Sequence, residues 1–336
     1  MILVIGATSF IGMYTVEKLL AEGEVVIATG RNKVLGNVLQ DKGASFLPLD
    51  ITSESDFDKL PAEDISGVIL LAGLLPANVH DETGNEHAAD YFKVNTIGTI
   101  NVLEFCRKNN IKKLISCCSY SDVSKSWRKG VALTENEPRN FSYLGDHSVY
   151  VISKNAANDM MEHYNQQFDM QCAWFRFPPV YGVGPHGSIY VDGKLYKSGI
   201  QTFIEKAQNG DNIEIWGDPH IERDIIYVKD VAQAFYKALH SNRTRGLYNM
   251  TSGTRLSLED QVKTVIDVFG CGNGSRLIYR PDKMNNTPSF LFSIEKARTD
   301  FGFEPYFTDY HAMMEDYKKE MESGRWNVLV DRENIV

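Results

Sequence analysis

The sequence predicts an α/β protein built on a doubly wound parallel sheet, with a smaller C-terminal α/β lobe. Three observations carry this. Short, unbroken apolar runs recur along the first half of the chain, as strands covered on both faces require. Segments with helical spacing separate them, so strands alternate with helices. The first strand-to-helix junction is a glycine turn, Gly6-Ala-Thr-Ser-Phe-Ile-Gly12.

In chain order, Met1-Ile-Leu-Val-Ile5 is the first strand, a helical pattern runs from the turn to about Glu22, and Glu24-Val-Val-Ile-Ala-Thr29 is the second strand. Ser45-Phe-Leu-Pro-Leu49 before Asp50, Gly67-Val-Ile-Leu-Leu-Ala72 before Gly73 and Lys113-Leu-Ile-Ser-Cys-Cys118 before Ser119 read as further strands. Helical stretches fall near residues 53–59 and 87–109, and another begins at Ser148 and passes Tyr164. In such sheets ligands collect at the carboxyl ends of the strands, which puts Asp50, Gly73 and Ser119 on one edge.

Composition narrows the classes. Of 336 residues, 43% are hydrophobic and 24% charged, as in ordinary globular proteins. A net charge of −9 argues against nucleic acid or an anionic membrane surface as the main partner. The longest apolar run, Val68 to Leu75, is far short of a membrane span, and the first residues read as a strand, not a signal peptide. The five cysteines (Cys106, Cys117, Cys118, Cys172, Cys271) lack the spacing of a zinc site or disulfide framework. They read as buried thiols of a cytoplasmic protein, with Cys117 and Cys118 on opposite faces of a strand. No metal site is expected.

The glycine turn lies inside a βαβ unit, the context in which such a turn binds a dinucleotide. Gly6 permits the tight turn, Gly12 a close helix–strand contact, and the helix N-terminus receives the pyrophosphate. Ser9 stands where a third glycine is usual. The second strand ends Thr29-Gly30-Arg31-Asn32, without the acid that holds the ribose 2′-OH of NAD, so NADP is favoured over NAD, with Arg31 at its 2′-phosphate. Tyr150 and Lys154, four apart on a helix, share a face. A nearby ammonium favours the phenolate, which suits a tyrosine to general acid/base work.

Together these residues make the chain resemble an extended short-chain dehydrogenase/reductase, the family of NAD(P)-dependent nucleotide-sugar epimerases, dehydratases and reductases. The likeness spans nearly the whole chain. Gly6, Ser9 and Gly12, with Thr8, Phe10 and Ile11 between them, match the cofactor turn. Asp50 and Ile51 match the adenine-contacting strand end, and Ala72 and Gly73 the small-residue segment beside the cofactor. Val94-Asn95-Thr-Ile-Gly98-Thr-Ile-Asn-Val-Leu-Glu104 resembles the family's helix pattern, and Pro178 lies in the similar Trp174–Gly182 stretch. Gly217-Asp-Pro-His-Ile-Glu-Arg223-Asp224 through Asp230 resembles another diagnostic segment.

The resemblance implies that Tyr150 moves the proton, Lys154 lowers the Tyr150 pKa and binds the nicotinamide ribose, and Ser119 bonds the reacting oxygen, with Ser121 as fallback. Arg223 and Arg280 are expected to grip the nucleotide diphosphate, with Tyr181 beside the substrate. The segment 185–196, with His186, reads as a substrate loop. Residues 1–177 then form the dinucleotide-binding Rossmann domain, with 222–250 returning to it; 178–221 and 251–336 form the substrate lobe. Tyr120-Ser121 replace the Asp-Glu pair of dehydratases, which disfavours water loss. Epimerisation of a nucleotide sugar is placed first, reduction of a nucleotide 4-keto-sugar by NADPH second, and a non-catalytic NADP-binding regulator third. A homodimer is expected through the helices at 87–109 and 148–168, and residues 326–336 carry no readable pattern.

Overall fold

The structure is a computed structural model that describes residues 1–61, 63–76, 88–145, 147–184, 188–191, 194–285 and 288–330. Its first half contains strands β1 (Ile2–Ile5), β2 (Val26–Gly30), β3 (Ser45–Pro48), β4 (Gly67–Leu70) and β5 (Lys113–Ser119). The helices are α1 (Phe10–Ala21), α2 (Lys33–Asp41), α3 (Ala88–Tyr91), α4 (Gly98–Lys108) and α5 (Ser148–Phe168). With strands Gln171–Phe177 and Gly246–Asn249, these strands make one seven-stranded sheet. Its spatial order is Gly246–Asn249, Gln171–Phe177, β5, β4, β1, β2, β3, and every pairing is parallel.

Alternation along the strands feeds two cores, one on each face. Ile2 and Val4 of β1 pack with α1 and the helix Val228–His240, whereas Leu3 and Ile5 pack with α4 and α5. The doubly wound sheet follows from strands that are apolar on both sides. The order reverses between β1 and β4, which opens a crevice at their carboxyl ends.

The stretch 87–109 departs from the single helix expected. It is α3, then a π-helical turn at Phe92–Ile97, then α4. The residues near 53–59 form a 3₁₀ helix, Glu54–Lys59. Two of the cysteines also depart from the buried reading: Cys117 is half-buried and Cys271 exposed, while Cys117 and Cys118 do feed opposite cores.

Two buried carboxylates fasten the C-terminal part to the sheet. Asp224 accepts from the Phe292 N–H, and Asp230 from those of Tyr306 (2.7 Å) and Phe307 (3.1 Å). Residues 324–330 return to the first helix. Trp326 is fully buried, its ring 4.6 Å from that of Tyr14, with Lys42 and Arg325 over its face.

Candidate active site

The turn after β1 is shaped by what it cannot accommodate. Gly6 has φ +83°, and a Cβ there would lie 2.3 Å from the Ala72 nitrogen. A Cβ on Gly12 would lie 2.4 Å from the Gly6 oxygen, and one on Gly30 2.4 Å from Thr8 Oγ1. Ser9, in the place of a glycine, is the N-cap of α1, its hydroxyl accepting from the Gly12 N–H at 3.2 Å. The first turn of α1 carries no acidic side chain, so its positive end is left for an anion. Phe10 packs under Gly182 and Gly184, tying the turn to the stretch after Pro178.

Around this turn lie the other expected cofactor residues. Asp50 is half-buried and spends one carboxylate oxygen on the Thr52 amide and hydroxyl. Ile51 is buried against Gly98 of α4, and Arg31 is exposed just beyond β2. Gly73 lies beside the Asn95 carboxamide, which accepts from the Leu74 N–H (2.7 Å) and donates to the Leu74 carbonyl (3.0 Å) and to Ser153 Oγ (3.0 Å). Ser153 in turn donates to the Tyr150 carbonyl, and Thr96 to that of Ser153. The π turn thus presents Asn95 and Thr96 together and staples the start of α5 to the loop after β4.

Tyr150 and Lys154 face the end of β5. Lys154 is 6% exposed and forms no hydrogen bond or ion pair with any described residue; its charge acts on the thiol of Cys118. Burial pushes the Tyr150 phenol well above its ordinary range, and neighbouring Cys117, Cys118, Tyr91 and Tyr120 push the same way. This corrects the expected lowering by Lys154. Loss of water around the buried phenol is the largest cause of the rise. Ser119 ends β5 and caps the 3₁₀ turn Tyr120–Ser126, its Oγ accepting from the Ser121 N–H at 3.2 Å. With a lone pair so engaged, its own proton is directed elsewhere. Ser121 is therefore the residue that orients Ser119.

Tyr120 stacks on Trp127 (5.3 Å, 11°) and lies near enough to Tyr150 and Arg223 to interact with both electrostatically. The half-buried Arg223 guanidinium sits by Tyr181 and Tyr120, and burial lowers its pKa. It has no hydrogen-bond or ion-pair partner among the described residues, and its Nε is buried without one. Tyr181 donates to Gln261 at 3.2 Å, and burial pushes its phenol up to about 12. Arg280 is placed differently: it is part-exposed, with its guanidinium already held by Glu214 (3.0 Å) and Asp282 (3.0 Å). His186 lies outside the described residues.

The residues present fit a dinucleotide: a glycine turn that admits no side chain, a helix end free of acids, and a buried lysine without a counter-charge. Such a cleft on a doubly wound sheet defines a nicotinamide-dinucleotide-dependent enzyme with a Tyr-x-x-x-Lys pair. The chain belongs to the NAD dependent epimerase/dehydratase family, whose model matches residues 2–250. It is 29% identical over 310 residues to a putative UDP-glucose 4-epimerase of Methanocaldococcus jannaschii, covering 91% of this chain and 93% of that protein. It is 25% identical over 310 residues to a dTDP-4-dehydro-6-deoxy-D-allose reductase of a Streptomyces species, covering 90% and 91%. The UDP-glucose 4-epimerase of Thermotoga maritima, solved with UDP-glucose, shares the fold, with a TM-score of 0.77 at 22% identity over 96% of this chain and 98% of that one. Epimerases and a reductase thus stand together among its relatives.

Proposed function

We propose that this chain is an NAD(P)-dependent epimerase of nucleotide sugars. The observation that carries the reading is two cations without counter-charges among the described residues, Lys154 on the helix of Tyr150 and Arg223 by Tyr120 and Tyr181. Gly6, Thr8, Ser9, Phe10, Ile11 and Gly12 would hold the pyrophosphate, Asp50 and Ile51 the adenosine half, and Ala72, Gly73, Asn95 and Pro178 the nicotinamide side. Lys154 would bind the nicotinamide ribose. The nicotinamide, when bound, supplies hydride acceptance and return.

The chain's own residues do the rest. Tyr150 takes the proton of the reacting hydroxyl and gives it back. For that role the raised pKa must fall, and a bound cofactor beside Lys154 would favour the phenolate. Ser119 donates to the same oxygen while charge develops on it. Arg223, flanked by Tyr181, pairs in a bidentate way with the diphosphate. Arg280 reaches that role only by leaving Glu214 and Asp282.

The test is a panel of UDP-, dTDP- and GDP-sugars incubated with the protein and trace cofactor, followed by NMR for inversion at a ring carbon. Tyr150→Phe should abolish turnover while leaving cofactor affinity unchanged; retained turnover sinks the assignment. Arg31 favours a second reading, an NADPH-dependent reductase of a 4-keto-sugar, which would consume reduced cofactor stoichiometrically. A homodimer through the helices at 87–109 and 148–168 fits the exposed Phe92 (38%) and Ile97 (49%) of the π turn, and light scattering decides it.

A further inference from the structure

The turn Tyr120–Ser126 that follows Ser119 holds a buried carboxylate, Asp122. Its side chain is 4% exposed and pairs at 2.8 Å with Arg176, itself 1% exposed. Arg176 comes from the strand Gln171–Phe177 and sits in register with Cys118 of β5. Its second terminal nitrogen donates to Asn249 Oδ1 at 3.0 Å, and Phe292 lies against its guanidinium. Asn249 is fixed in turn by its Nδ2 on the Leu133 carbonyl (3.1 Å) and its main-chain N–H on Glu135 (2.8 Å). The Asp122 carbonyl accepts from the Asn140 N–H at 2.8 Å.

As a stabilising device this cluster is poor. Asp122 Oδ1 and Arg176 Nε are buried with no partner among the described residues. A buried ion pair left partly unsatisfied seldom repays its desolvation, and apolar side chains of the same volume serve the fold as well. What the pair does supply is position. It draws the turn onto the strand Gln171–Phe177, and the same turn orients Ser119 Oγ through the Ser121 N–H and places Tyr120 near Tyr150 and Arg223.

We propose that Asp122 and Arg176 are positioning residues that hold the Ser119–Tyr120 turn in catalytic register with Tyr150. The inference rests on the proposed function. The variants are Asp122→Asn and the double apolar exchange Asp122→Leu with Arg176→Met, compared with wild type on UDP-galactose and by amide hydrogen exchange of residues 119–126. Asp122→Asn should lower kcat roughly 100-fold, as about 1 Å of misplacement does. KM and cofactor affinity should stay within about three-fold, because ground-state binding does not depend on the turn. The double exchange should restore the melting temperature but not kcat, and both variants should exchange faster at 119–126 than wild type, with β1 unchanged. Recovery of kcat with stability in the double exchange overturns the inference. If wild type turns over none of the sugars, the proposed function fails and the catalytic register with it, whereas unaltered exchange at 119–126 in Asp122→Asn beside an active wild type overturns this inference alone.

Discussion

Asp230 offers a quantitative check on how the C-terminal part is fastened. It is fully buried on the helix Val228–His240, and each carboxylate oxygen takes one main-chain N–H, Tyr306 at 2.7 Å and Phe307 at 3.1 Å. Burial nevertheless raises its pKa from 3.8 to about 6, outweighing both bonds. A rise of some two units corresponds to about 3 kcal/mol between the protonation states. Because the folded-state pKa lies above the unfolded one, the folded chain holds the proton more tightly. Stability from this group is complete below about pH 4 and is lost as pH rises through about 6. Asp230→Asn removes that titration. Its amide keeps one acceptor and turns a donor toward the other N–H, which weakens that bond but places no buried charge. A protonated carboxyl has the same defect, so the two proteins should match below about pH 4 and differ by about 1 kcal/mol at pH 4.5. By pH 8 the variant should have gained up to about 3 kcal/mol relative to wild type. Melting temperatures of both, taken from pH 4.5 to 8 at constant ionic strength, give the difference directly. A difference that stays flat with pH, or falls, refutes the reasoning.

Trp326→Ala should cost about 3–5 kcal/mol, because a fully buried ring against Tyr14 is removed, and a urea midpoint reads it. Arg223→Leu should raise KM for a nucleotide sugar about ten-fold or more, whereas Arg280→Leu, which breaks only part-exposed ion pairs worth about 0.2–1 kcal/mol, should leave it nearly unchanged. Equal effects from the two arginines, measured by initial rates, would contradict the placement of Arg223 as the free cation. Arg31→Ala should weaken NADPH binding and spare NADH, which fluorescence titration resolves; equal affinity loss for both would remove the case for NADP.

The order of strands and helices, the glycine turn and the Tyr150/Lys154 pair were legible because each is written locally. Apolar runs mark covered strands, Gly6 marks a turn that needs positive φ, and a four-residue spacing puts two side chains on one helix face. Ser119 at a strand's carboxyl end was legible for the same reason. Other features depend on partners far away in the chain. Arg223 and Arg280 look alike as residues, and only folding shows one with no ion-pair partner among the described residues and the other held by Glu214 and Asp282. Asp122 and Arg176 meet across 54 positions, and Arg325 reaches Glu17 across 308. The π turn at Phe92–Ile97 exists where Asn95 and Thr96 can bond Leu74 and Ser153, which no helical period announces. The sequence by itself therefore determined the sheet, the glycine turn after its first strand and the placing of Tyr150 and Lys154 on one helix. The tertiary structure decided the pKa of Tyr150, the free cation of the cleft and the anchoring of Trp326, because burial and long-range pairing, not spacing, set the energies of buried charges and rings.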